Sequence, residues 1–180
     1  IYFKGGTALQ KIFLDHSRLS EDIDFTLTAN VKEKEEEIRN ILKDQQFVKE
    51  ITKDKSVDGF TRMAVHYDNF SGEVDTIFID LNARGKLLTR SESHTITQFY
   101  PDIPKFNFPT LSRDEMIAEK VAAAIGRNKP RDHYDIYLIL NRHLPINMKL
   151  VKQKCEQSGN EFSIIRMFNN AKKLKNRWDE

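Results

Sequence analysis

The 180-residue sequence has one cysteine, Cys155, which excludes an internal disulfide framework and a cysteine-based zinc site and suits a reducing cytoplasm. It has no apolar run approaching the roughly 20 residues of a membrane helix. Its opening, Ile1-Tyr2-Phe3-Lys4-Gly5-Gly6, carries no basic segment followed by a long apolar stretch and so does not read as a signal peptide. Instead it reads as the middle of a strand, as expected if the sequence begins inside a longer protein. Internal repeats and low-complexity tracts are missing. Histidines are scattered without metal-ligand spacing, and no G-x-S-x-G, Walker or G-x-G-x-x-G pattern occurs. Net charge is small, at +2. It is also unevenly placed, with 14 Lys/Arg against 16 Asp/Glu in residues 1–90 and 15 against 11 in residues 91–180. Only the second half is therefore basic enough to add to a nucleic-acid contact.

What is present is a soluble globular pattern, 39% hydrophobic and 31% charged, on a chain long enough to bury a core. Residues 1–4, 22–27, 47–51, 60–67 and 74–82 read as strands, and 7–16 and 32–44 as helices. Ala8, Leu9, Ile12 and Phe13 form the inner face of the first helix, and Ile38, Ile41 and Leu42 that of the second. Residues 85–110 read as a connection of mixed character with three prolines. Ser112-Arg113-Asp114-Glu115 is a capping box that opens a helix to about Arg127. Further helices are expected over 131–142, 147–157 and 161–176. The order predicts an α+β fold: a mixed sheet flanked by helices over residues 1–90, then a mainly helical part over 91–180. Cys155 is expected in a helix as a small hydrophobe.

Asp22 and Asp24 alternate with Ile23 and Phe25, so on a strand the two carboxylates share one side and repel unless a cation lies between them. Alone, Asp-x-Asp is as consistent with a solvated strand face. Asp80 adds weight, because Thr76–Leu81 is otherwise apolar on both faces and a buried acid needs a partner. A divalent cation shared with Asp22 and Asp24 is one such partner, and a wet strand end is the alternative. Gly5-Gly6-Thr7 ends a strand and opens a helix, which points backbone N–H groups at an anion, or else simply makes a tight turn. Lys120 and Arg127 share a helical row with small Ala123 between them, suited to a triphosphate; a solvent-facing Lys120 paired with Glu119 or Glu115 is equally consistent. Asp132 is placed as an N-cap and Asp135 one turn in, where it reaches Lys120 or Arg131. Tyr134 and Tyr137 read as packing residues with their hydroxyls at the rim. Lys172, Lys173, Lys175 and Arg177, beside Trp178, read first as a solvated helix end.

Three blocks carry a resemblance. Gly5-Gly6-Thr7-Ala8-Leu9 with Arg18-Leu19-Ser20-Glu21-Asp22-Ile23-Asp24-Phe25, Glu115–Ala123, and Arg127 through Lys129-Pro130-Arg131-Asp132-His133-Tyr134-Asp135 resemble the AbiEii/AbiGii toxin nucleotidyltransferases. These are a branch of the DNA polymerase β-like nucleotidyltransferase superfamily. Fifteen residues separate Gly6 from Asp22, a spacing similar to the toxin branch. Residues 141–180 carry no part of the resemblance.

The resemblance implies an enzyme that uses Mg²⁺ or Mn²⁺ and an NTP, releases pyrophosphate and nucleotidylates an acceptor. Asp22, Asp24 and Asp80 would be the metal ligands, and Asp80 would also draw the proton from the attacking hydroxyl. Lys120 and Asp135 would be the further catalytic residues, Asp135 favoured over Asp132. Gly5, Gly6, Thr7, Ser20, Lys120 and Arg127 would bind the nucleotide. Expected partners are tRNA or another nucleic-acid acceptor and an antitoxin protein, in the cytoplasm. A protein or small-molecule hydroxyl as acceptor, or a nucleotide-binding module without turnover, are the competing expectations.

Overall fold

Residues 1–96 and 100–174 are described by the structure, a computed structural model. Strands β1 (Tyr2–Lys4), β2 (Ile23–Thr26), β3 (Val48–Val57), β4 (Phe60–Asp68), β5 (Val74–Asn82), β6 (Glu92–Ile96) and β7 (Phe106–Thr110) join in one mixed sheet. Its order is β3-β4-β5-β2-β1-β7-β6, with β2 parallel to β5 and antiparallel to β1. Helices α1 (Gly5–Ile12), α2 (Val31–Lys43), α3 (Arg113–Gly126), α4 (Pro130–Asn141), α5 (Met148–Gln157) and α6 (Ile164–Lys173) complete the described α+β fold. None of these helices is long and apolar enough to cross a membrane.

Local chemistry explains most of the boundaries. Asn30, Ser112, Asn147 and Ser163 each accept a backbone N–H from the first turn of α2, α3, α5 and α6, as short polar caps do. Pro130 opens α4, where its missing N–H costs nothing. In α3 the stripe Ile117, Val121, Ala124 and Ile125 is buried, each larger side chain contributing roughly 1.5–3 kcal/mol relative to exposure. Val121, Ala124 and Ile125 pack on Ile136 of α4 and on Leu150, Val151 and the fully buried Cys155 of α5, and Ile117 packs with Leu9 of α1 and Leu138 and Ile139 of α4. On the sheet, Met63, Ile79 and Leu81 take up Ile38 and Leu42 of α2, whereas Ile41 points outward.

Several elements differ from the sequence reading: β3, read as 47–51, runs on to Val57, and the first helix, read as 7–16, spans Gly5–Ile12. The stretch taken as connection holds the hairpin β6–β7, so the sheet continues past residue 91 and β7 lies beside β1. Pro109 is tolerated inside β7 because the β1–β7 ladder is short, registered at Phe3 and Thr110 alone. The capping box is also only half made. Ser112 caps, but Glu115 turns away from the cap to bind the Leu88 and Thr89 backbone N–H groups and Lys154.

Candidate active site

One row of side chains crosses four strands. Lys4 on β1 faces Asp24 on β2, Asp24 faces Asp80 on β5, and Asp80 faces Arg62 on β4. Registered neighbours place their side chains on the same face. The row therefore reads cation, acid, acid, cation. Asp22 precedes it by two residues, and the Arg131 guanidinium stands 3.8 Å from its carboxylate.

The two acids of the row are treated differently. Asp80 is clamped by Arg62, whose Nε and Nη2 donate to its two oxygens at 2.6 and 2.7 Å. The partner that a buried acid requires is thus an arginine, and Asp80 is neither wet nor dependent on a metal for neutralisation. For Asp24 no hydrogen bond or ion pair is found among the described residues. Burial pushes its carboxyl above the ordinary carboxylate range; Lys4 opposes this, while Asp80 and Asp22 add to it. Such a group gains from a cation brought alongside. Among the described residues no three acid, imidazole or thiol side chains stand ready as a metal cage. The donor chemistry does fit a hard divalent ion, which takes one or two carboxylates and completes its shell with water and phosphate.

The Gly5-Gly6 junction packs against these acids. Gly5 has φ +76°, and a β-carbon there would lie 2.0 Å from Asp24 Oδ2. Only glycine lets α1 start so close to the carboxylate. Among the described residues no side chain caps the α1 N-terminus, whose N-cap is Lys4, so its positive end suits an anion. The Thr7 hydroxyl bonds the Asp22 carbonyl and lies 2.9 Å from Ser20 Oγ, which ties the helix start to the strand that bears the acids. A side chain at Gly6 would meet the Arg18 guanidinium and Ser20.

The third side of the site is a buried charge network. Lys120, 8% exposed, sets its ammonium 3.0 Å from Asp132 and 2.9 Å from Asp135. Arg127 grips Asp132 through two bonds, and Arg18 grips Asp135 at 2.6 and 2.7 Å. Gln10 also donates to Asp135, at 3.0 Å. The solvent-facing alternative for Lys120 is thereby excluded: Glu115 and Glu119 pair with Lys154 instead, and Glu119 also with Lys4. Asp132 does not cap α4, whose N-cap is Lys129; its carboxylate turns inward, and both acids hold the lysine. Asp132 is held below the usual carboxylate range, burial being outweighed by Arg127 and Lys120.

The described structure thus gathers Gly5, Gly6, Thr7, Asp22, Asp24 and Asp80 along one sheet row and its adjoining helix start, with Lys120, Arg127 and Asp135 around it. Ser20 stands behind, against Thr7. Sequence reasoning did not single out Lys4, Arg18 or Arg62, and Arg131, expected there as a partner of Asp135, stands by Asp22 while Asp135 pairs with Lys120 and Arg18. Arg18 stood inside a recognised block, but Arg62 becomes visible only once β4 is registered on β5. Tyr134 and Tyr137 pack on each other rather than in the described core clusters: they are 37% and 58% exposed and stack with centroids 6.1 Å apart. Of the basic run near the C-terminus, Lys172 and Lys173 end α6, and Lys175, Arg177 and Trp178 lie outside the described residues.

Residues 1–180 match the protein family described as nucleotidyl transferase AbiEii toxin, type IV TA system. No curated protein matches the chain. Among solved structures, the fold is similar to MenT4, a nucleotidyltransferase toxin from Mycobacterium tuberculosis. The TM-score is 0.63 and the identity 23%, over 86% of this chain and 54% of that one. The chain therefore spans about half the length of that toxin. It is also similar to JHP933 from Helicobacter pylori, with TM-score 0.60 and 16% identity over 99% of this chain and 84% of the other.

Proposed function

The chain belongs to the AbiEii family of nucleotidyl transferase toxins of type IV toxin-antitoxin systems, and from that premise we propose that it transfers NMP from an NTP to an acceptor hydroxyl and releases pyrophosphate. The observation that carries the reading is the proton-hungry Asp24, unpartnered among the described residues, beside Asp80 and packed against the start of α1, which Lys4 leaves without a side-chain cap. Asp22, Asp24 and Asp80 would hold the Mg²⁺ or Mn²⁺, which when bound neutralises phosphate oxygens and makes the attacking hydroxyl more acidic. The α1 N–H groups of Gly5, Gly6 and Thr7 orient the triphosphate. Lys120 has three donors, of which Asp132 and Asp135 occupy two; the third neutralises charge as pyrophosphate departs. Asp132 and Asp135 are positioning residues, and Arg127 adds a second cation at the mouth. Asp80 draws the acceptor proton, which requires one of its oxygens to leave Arg62.

The acceptor we favour is tRNA or a related RNA, in keeping with the basic second half, and the protein partner is an antitoxin. A single experiment separates the readings. The protein is incubated with total tRNA, Mg²⁺ and each NTP labelled at the α-phosphate. Label on RNA is the expected result, and label on protein would move the acceptor to a protein hydroxyl. No transfer to any acceptor, with NTP still bound, would leave a nucleotide-binding module. Arg62's hold on Asp80 is the observation that favours this last outcome.

A further inference from the structure

On α4 the buried and exposed faces have separate jobs. Asp132, Asp135, Ile136 and Ile139 face inward. Arg131, Tyr134 and Tyr137 are spaced by three residues and so form a neighbouring row along the outside of the helix. The row starts at the site itself, because Arg131, 52% exposed, reaches to 3.8 Å from the Asp22 carboxylate. From there it runs outward over two exposed, mutually stacked rings. Both tyrosines keep surface open to solvent on this face, 37% for Tyr134 and 58% for Tyr137. The rings are flat, apolar faces approached from a cationic end, with half-exposed Arg127 at the helix entrance adding a second positive charge.

A stacking face for bases, headed by cations for phosphates, is how proteins hold single-stranded nucleic acid without reading sequence. We propose that Arg131, Tyr134 and Tyr137 form a platform for an unpaired nucleic-acid end. One base stacks on the tyrosines and the adjoining phosphate meets Arg131, which aims the terminal hydroxyl at the Asp22, Asp24 and Asp80 row. This rests on the nucleotidyltransferase reading and specifies the acceptor as single-stranded at its reacting end.

The test is the anisotropy of a labelled short single-stranded oligoribonucleotide, titrated with wild-type protein, the Tyr134→Ala/Tyr137→Ala variant and the Tyr134→Phe/Tyr137→Phe variant. Loss of stacking should weaken binding by about tenfold or more in the alanine pair, while the phenylalanine pair, which keeps both rings, stays near wild type. A blunt duplex of the same sequence should bind more weakly than the single strand. Should the alanine pair melt early, Tyr137→Ala alone, at the more exposed ring, carries the comparison. Alanine variants with wild-type affinity, as a protein-binding face or purely electrostatic binding would give, overturn the platform. So does a phenylalanine pair as weak as the alanine pair, or a wild type that does not bind the single strand. A fluorescent NTP analogue titrated into wild type is read separately: failure there sinks the nucleotidyltransferase reading, whatever the oligonucleotide does.

Discussion

Arg62 on β4 holds both carboxylate oxygens of Asp80 on β5, at 2.6 and 2.7 Å, and so occupies the acid that stands next to Asp24. The guanidinium fork matches a carboxylate geometrically and supplies the positive charge a divalent ion would otherwise bring. Arginine and the proposed metal would therefore compete for one side chain.

Arg62→Gln should bind Mn²⁺ more tightly than wild type, by about fivefold, since a partly exposed charged pair contributes on the order of 1 kcal/mol. Its melting temperature without metal should fall. Free-manganese measurement by electron paramagnetic resonance gives the affinity, and an unchanged or weaker one would remove Arg62 from the metal argument.

Asp24→Asn should melt higher than wild type at pH 7 in the absence of metal. The folded carboxyl holds its proton more tightly than the unfolded chain, whose value is 3.8. Ionising it costs stability as pH rises from there through the folded value, and the cost is complete above it. The advantage of asparagine should therefore shrink as pH is lowered toward 4, and added Mg²⁺ should stabilise wild type but not the variant. A variant less stable than wild type at pH 7 contradicts the assignment.

The opposite sign holds for Glu115, Glu119 and Asp132. In each, burial is outweighed: by Lys154 and the Leu88 N–H at Glu115, by Lys4 and Lys154 at Glu119, and by Arg127 and Lys120 at Asp132. Their contribution is present above the unfolded values, 4.5 for glutamate and 3.8 for aspartate, and is lost as pH falls through the depressed folded values. Urea denaturation at successive pH values should show this acid loss. Lys154→Met should cost about 3–5 kcal/mol at pH 7, because it strands the buried Glu115 charge, and should flatten the acid slope.

Gly5→Ala and Gly72→Ala make a matched pair, with φ of +76° and +78°. Nothing lies within 4 Å of a β-carbon at Gly72, so that change carries only the conformational cost of about 1 kcal/mol. At Gly5 the new carbon strikes Asp24, and both stability and nucleotide transfer should fall well beyond the Gly72 variant. Equal effects in the two variants would show that the Gly5–Asp24 contact does not matter.

Lys120→Met should lower transfer by roughly 10²–10³-fold, the usual loss of one positioned charge donor. The fold should persist, since Asp132 keeps Arg127 and Asp135 keeps Arg18. Single-turnover assays with circular dichroism check both halves. Activity within about twofold of wild type would leave Lys120 a structural residue.

Much of this was legible in the sequence because it is local. Alternation set Asp24 apart from Ile23 and Phe25, although β2 opens at Ile23 and leaves Asp22 just before the strand, and β5 was read to its ends. The α3 stripe follows from helical spacing alone. Partnerships were not legible, because they depend on register between distant strands. Nothing near Arg62 in sequence says that it meets Asp80, and nothing near Lys4 says that it faces Asp24. The preference for Asp135 over Asp132 failed to anticipate that both reach Lys120, since an N-cap and an inward-turned acid occupy the same sequence position. Hairpin β6–β7 was obscured by its own Pro109.

The line Lys4, Glu119, Lys154, Glu115 alternates in sign from the first strand to the fifth helix. No proposed catalytic side chain lies beyond Asp135, yet a fragment cut there would strip the buried Glu115 of its counter-charge and leave Glu119 with Lys4 alone, on the strand that faces Asp24. The shortest piece of this protein able to keep the proposed nucleotide site in shape should therefore extend at least to Lys154.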